Sequence, residues 1–130
     1  MAELLNVDLV AADRQVWSGE AKMVIARTAD GDIGILPGHS PVLGVLAGGA
    51  VQIRKDDDEL VVAAVHGGFL SVADNRVAIL AELAELAQEI DVDKERQTLE
   101  RARQEDESDE DFQAAALRAS VRLRAHGLAS

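Results

Sequence analysis

The chain has 130 residues, enough for one domain, or one small domain with an appendage, around a single modest core. Its 24 acidic and 13 basic residues give a formal charge of −11, which disfavours a sequence-independent grip on nucleic-acid phosphates. With no cysteine, disulfide frameworks, thiolate metal sites and cysteine nucleophiles are excluded together.

The N-terminal stretch MAELLNVDLVAADRQ lacks a basic opening and carries Glu3 and Asp8 inside its apolar part, so it does not read as a secretory signal and the chain is expected on the cytoplasmic side. Leu5, Val7 and Leu9 alternate with Asn6 and Asp8, the period-two pattern of a half-buried strand. Met23 and Ile25, then Val51 and Ile53 around Gln52, then LVVAAV, FLSVA and RVAIL continue the series. Turn residues separate these runs at Ser18-Gly19, Asp30-Gly31, Gly48-Gly49, the acidic tip KDDDE, His66-Gly67-Gly68 and Asp74-Asn75, where Gly, Asn and Asp supply positive φ cheaply. A spacing of about eight to twelve residues between turns predicts a sandwich or barrel.

Residues 33–53 hold no full charge over 21 positions. They fail as a membrane helix because they include five glycines, two prolines, a histidine, a serine and a glutamine. GILPGHS (34–40) has no lysine to neutralise a phosphate, and no strand, Gly-x-Gly-x-x-Gly and helix follow in order, so these glycines are assigned to backbone geometry. The histidines at 39, 66 and 126 lie in different segments without metal-ligand spacing, and no serine sits in a nucleophile-elbow motif. The reading is therefore not an enzyme, with no metal. Trp17 is expected in the core or at its edge, and the glycines of HGGFLSV are read as a tight hairpin turn in preference to a close backbone approach.

Residues 81–90 (AELAELAQEI) fit either a helix or a strand extension. From Asp91 onward Gly and Pro vanish until Gly127 and good helix formers dominate, predicting one helix to about Gln104 and a second after EDESDED, with Ser108 and Asp111 as a capping box. Phe112, Ala116, Ala119 and Leu123 mark a small-residue seam on the second helix; the seam of the first is thin, essentially Val92, Leu99 and Ala102. Residues 89–111 carry net −7 and residues 112–130 net +3, so an acidic helix is expected to fold back on a basic one, weakly held and able to detach.

The stretch GDIGILPGHSPVLGVLAGG (31–49), followed by HGGFLSV (66–72) in a β-rich half ahead of an acidic/basic helix pair, resembles the epsilon subunits of bacterial F-type ATP synthases. The resemblance implies a mainly β plus α fold, an N-terminal ten-stranded β-sandwich (1–88) followed by a C-terminal antiparallel two-helix hairpin (89–130). It implies a rotor subunit of the central stalk, touching the gamma subunit and the subunit c ring, with alpha and beta subunits as further partners when the hairpin extends. Asp32, Gly38, His39 and Ser40 are the contact residues it suggests, and Pro37 and Pro41 would stiffen their turn. The hairpin is implied to restrain ATP hydrolysis. Some members bind ATP as a regulatory ligand through Asp-x-x-Arg-Ala on the first helix and arginines on the second; here Asp93, Arg96, Arg118 and Arg122 stand in register, with Gln97 in place of the alanine. No other cofactor is implied. Placement is peripheral, on the cytoplasmic membrane face, through partners and without direct insertion.

Two rivals from other classes are a β-sandwich hydrolase or isomerase, which needs His39, His66 and an acid to converge, and a stand-alone ligand-binding β domain with a helical regulatory tail, which needs a deep apolar cavity.

Overall fold

The computed structural model describes residues 3–104 and 110–129. Among them, ten strands come first: β1 (Leu5–Ala11), β2 (Gln15–Ala21), β3 (Met23–Thr28), β4 (Gly31–Ile35), β5 (Val42–Leu46), β6 (Gly49–Arg54), β7 (Leu60–Val65), β8 (Gly68–Ala73), β9 (Arg76–Ala81) and β10 (Ala84–Leu86). A 3-10 turn at Ala87–Glu89 leads into α1 (Val92–Gln104) and α2 (Glu110–Ala129).

Alternation does what it predicts in β1, where Leu5, Val7, Leu9 and Ala11 are buried while Asn6 and Asp8 are exposed. The hairpins β1–β2, β3–β4, β6–β7 and β8–β9 are antiparallel, whereas β1 and β9 run parallel. All belong to one hydrogen-bonded sheet ordered β10-β7-β6-β3-β5-β8-β9-β1-β2, with β4 paired to β3. Its two ends meet: Arg14, in the β1–β2 turn, donates to the Ala84 carbonyl of β10 (3.5 Å) and to Glu89 (2.8 Å). The sheet is thus folded round on itself over an interior in which Leu5, Leu9, Ile35, Ile53, Leu70 and Ile79 are completely buried. Each such side chain contributes about 1.5–3 kcal/mol relative to exposure.

Three local expectations are corrected. Ser18-Gly19 is no turn but lies inside β2, where a Cβ on Gly19 would come within 2.8 Å of the Trp17 ring and Ser18 instead bonds Asp8 (2.8 Å). The reversal is made upstream, with Ala11 N–H donating to the Arg14 carbonyl (2.9 Å). HGGFLSV is likewise no hairpin turn, because β7 pairs with β6 and β10 while β8 pairs with β5 and β9. At Gly68 (φ +127°) the chain changes partners so close to β9 that a Cβ would lie 2.0 Å from the Leu80 carbonyl oxygen. The close backbone approach, set aside on sequence grounds, is the reason for the glycine.

Residues 81–90 resolve as the end of β9, strand β10 and the 3-10 turn, since β10 pairs with β7 and buries Ala84. The capping box expected at Ser108 lies outside the described residues. On α1 the capping carboxylate is Asp91, which accepts from Lys94 N–H (3.2 Å). The single seam expected on α2 is incomplete: Ala119 is buried, but so are Val121 and Ala125, which join Val62 and Ala64 of β7 and Ala87 in a small second cluster. The helix contacts both α1 and the β6–β7 face, so it needs two apolar stripes.

Candidate partner surface and hairpin junction

The β4–β5 turn holds Gly38, His39 and Ser40 in a fixed local geometry. Gly38 adopts a positive φ (+84°), and its N–H donates to Asn75 Oδ1 (2.7 Å). Asn75 Nδ2 in turn donates to Glu3 (3.1 Å), and the Asn75 carbonyl accepts from Asn6 N–H (2.8 Å). One side chain in the β8–β9 turn therefore pins the β4–β5 turn and the start of β1 together. His39 N–H closes the turn on the Leu36 carbonyl (3.1 Å), and its Nδ1 donates to the Ser40 carbonyl (2.7 Å), which places the ring proton on Nδ1. Asp32 is separate from this network, exposed on β4 opposite Arg27 of β3. Asn75 reads in sequence only as a turn former; its anchoring role depends on a residue 37 positions away.

An apolar surface lies beyond the turn. Val45, Phe69 and Leu80 face one another in register on β5, β8 and β9, and all three are more than half exposed. Leu43, on the same face of β5, is 76% exposed, and Leu36 at the end of β4 is exposed as well. Large apolar side chains on three neighbouring strands make a continuous patch of the kind that marks a partner interface. Its sequence signal is weak: these strands are apolar on both faces, which by itself equally suits burial on both sides.

The second feature is polar and lies where the helices meet the sheet. Arg122 of α2 donates through Nε to Glu85 of β10 (2.6 Å) and through Nη1 to Glu95 of α1 (3.2 Å). His66, after β7, donates from Nε2 to the same Glu85 oxygen (3.0 Å). Contact between the start of α1 and the C-terminal half of α2 is the pairing of an antiparallel hairpin. Glu95 is 6% exposed, the one charged residue that is buried among those described. Burial by itself pushes the Glu85 carboxyl up, but hydrogen bonds from His66 and Arg122 together outweigh it and hold the group at about 2. Burial pushes Arg122 down, and the Glu85 and Glu95 carboxylates outweigh it and keep the guanidinium above its ordinary value.

The four residues suggested for nucleotide lie on both helices, Asp93 and Arg96 on α1 and Arg118 and Arg122 on α2. Arg118 and Arg122 line a groove of about 520 Å³ with Gly48, His66, Leu83 and Val121, and Asp93 and Arg96 are exposed on α1. Glu85 and Glu95, which hold Arg122, were not singled out by the sequence. His39 is engaged by the Ser40 carbonyl and His66 by Glu85, so the two rings share no hydrogen-bond partner among the described residues. Among the described residues no His, Asp and Glu group could hold a metal, and no helix is long and apolar enough to cross a membrane.

Comparison with known proteins accounts for this architecture. The family model for the ATP synthase delta/epsilon chain β-sandwich domain matches residues 4–87. The ATP synthase epsilon chain of Streptomyces avermitilis is 60% identical over 125 residues, spanning 96% of this chain and 97% of that one, and that of Streptomyces griseus is 58% identical over the same shares. A chain in the Euglena gracilis mitochondrial ATP synthase, solved with OSCP, F1 and c-ring, superposes with a TM-score of 0.73 at 25% identity, over 95% of this chain and 78% of that one. With this likeness running through both the sheet and the helices, the chain belongs to the ATP synthase epsilon-chain family, a non-catalytic part of that complex.

Proposed function

We propose that the chain divides its work at about residue 88, the β domain (1–88) joining the rotor and the helical pair (89–130) regulating it. The observation that carries the first half is the exposed row Val45–Phe69–Leu80 with Leu43, which is apolar, rigidly strand-borne and unpartnered in the isolated chain. This row is the surface for the gamma subunit. The adjoining turn with Gly38, His39 and Ser40, and Asp32 on β4, faces the polar loops of the subunit c ring. The Euglena relative, solved in an assembly with F1 and c-ring, supports that placement. The subunit is peripheral, and its place is the cytoplasmic face of the membrane.

A Leu43→Glu, Phe69→Glu double variant tests the surface. Affinity-tagged chain should recover the gamma and ring subunits from gently solubilised membranes, and the variant should recover ~10-fold less of both while folding normally, because burying an unpaired charge at an interface core costs more than 1 kcal/mol. Equal recovery would refute the assignment. For the hairpin, removal of every residue after Gln88 should raise ATP hydrolysis by the assembled enzyme; an unchanged rate counts against regulation.

A second reading, ATP as a regulatory ligand, draws support from the groove shared by Arg118 and Arg122. Nucleotide phosphates would have to draw Arg122 away from two carboxylates, with Asp93 and Arg96 supplied from α1. Calorimetry with millimolar MgATP should then show heat that an Arg118→Ala, Arg122→Ala variant abolishes.

A further inference from the structure

The Arg122 cluster has a charge imbalance with a functional consequence. Two carboxylates, Glu85 and Glu95, converge on one guanidinium from different elements, one on the sheet and one on α1, while the guanidinium rides on α2. Apart from this cluster, α2 is fastened to the sheet by a small apolar cluster, Val121 and Ala125 against Val62, Ala64 and Ala87, with Ala50, Leu60 and Ile90 partly buried beside them. Apolar area there is modest, so the ionic contact carries an unusual share of the docking.

We propose that Arg122 is a shared latch: one side chain closes the hairpin through Glu95 and docks it on the β domain through Glu85, so that opening and undocking occur as a single step. This deepens the regulatory reading of the hairpin only in its consequence for the enzyme; the latch itself is a property of the isolated chain. His66 completes it by donating to the same Glu85 oxygen that Arg122 Nε holds. The planar fork of arginine presents Nε to one carboxylate and Nη1 to the other in fixed directions, a preorganised geometry that the compact ammonium of a lysine does not reproduce.

The imbalance predicts an unusual order of effects. Removing either carboxylate leaves a balanced pair, so Glu85→Gln or Glu95→Gln alone should loosen the hairpin little. Removing the guanidinium leaves two largely buried negative charges facing each other, so Arg122→Met should loosen it most. Deleting both carboxylates in the Arg122→Met background should then restore docking, a rescue that a purely packing role for Arg122 would not produce.

Amide hydrogen exchange followed by mass spectrometry on the full-length chain reads this directly, with α2 peptides as reporter and β-domain peptides as internal control of folding. Arg122→Met should speed α2 exchange at least ~10-fold with the β domain unchanged, each Glu→Gln variant less than ~3-fold, and Arg122→Lys should fall between. The triple variant should return to within ~3-fold of the parent. Equal loss from all single variants, or no rescue in the triple, would overturn the shared latch. Hydrolysis by enzyme reassembled with the Arg122→Met chain separates the two readings: altered exchange with unaltered hydrolysis keeps the latch and removes the regulatory role, whereas unaltered exchange removes the latch whatever hydrolysis does.

Discussion

The β domain and the helical hairpin are held by different physics, although they belong to one chain. The sheet closes over large aliphatic side chains, Leu5, Leu9, Ile35, Ile53, Leu70 and Ile79, each with no exposed surface. The hairpin meets that sheet through a small cluster of alanines and valines edged by partly buried Leu60 and Ile90, and through one ionic cluster. Hydrophobic burial is insensitive to pH and carried by many independent contacts, whereas an ion pair depends on protonation and on a few atoms. A rotor element has to keep its shape under load, and the regulatory arm proposed above would have to move; the two interfaces suit that division.

The sharpest way to break the contrast is at the switch between β7 and β8. Gly68→Ala puts a methyl 2.0 Å from the Leu80 oxygen at φ +127°, so the sheet should fail to close, at a cost above about 4 kcal/mol. Circular dichroism should show loss of the native β signal and of its cooperative thermal transition. Leu70→Ala, in the middle of the same core, should be milder at about 3 kcal/mol, read as a lowered urea midpoint at unchanged slope.

Acid should then distinguish the two regions. Glu85 titrates at about 2 in the folded chain against an ordinary 4.5. Its contribution to hairpin docking is therefore present above 4.5 and lost as pH falls from there towards 2, and because protonated Glu85, like Glu85→Gln, leaves the Arg122–Glu95 pair standing, the loosening from this group alone is small. Trp17, the only tryptophan, lines a groove with His126 and Ala129 of α2, so its emission reports undocking. It should change in that window before the β signal does, and Glu85→Gln should flatten the change. The smallest effect on stability, under about 0.5 kcal/mol, is expected for Leu43→Ser, because that side chain is already in water. Its thermal midpoint should match the parent even as recovery of the gamma subunit falls.

Legibility in the sequence followed the range of the interactions involved. The β1 alternation, the positive-φ turns at Asp74 and Asn75, and the helical composition after Asp91 were all readable because each depends on neighbours a few residues apart. Ser18-Gly19 misled because glycine also serves where a ring needs room, as beside Trp17, and a turn is only the commoner reason. The second α2 stripe, Val121 and Ala125, was missed because a single-seam pattern assumes one neighbour, and this helix has two.

By itself, then, the sequence determined a β-rich half, a two-helix tail, the turn that carries Gly38 to Ser40, and a resemblance strong enough to name a family. Tertiary structure decided which strands pair, with β1 parallel to β9 and β5 beside β8, and so which apolar residues form the exposed row. It also brought Glu85 and Arg122, 37 residues apart, onto one contact with Glu95 and His66. Periodicity encodes which way a side chain points within its own element; which side chain it meets is set only when the whole sheet has closed and the hairpin has found its place on it.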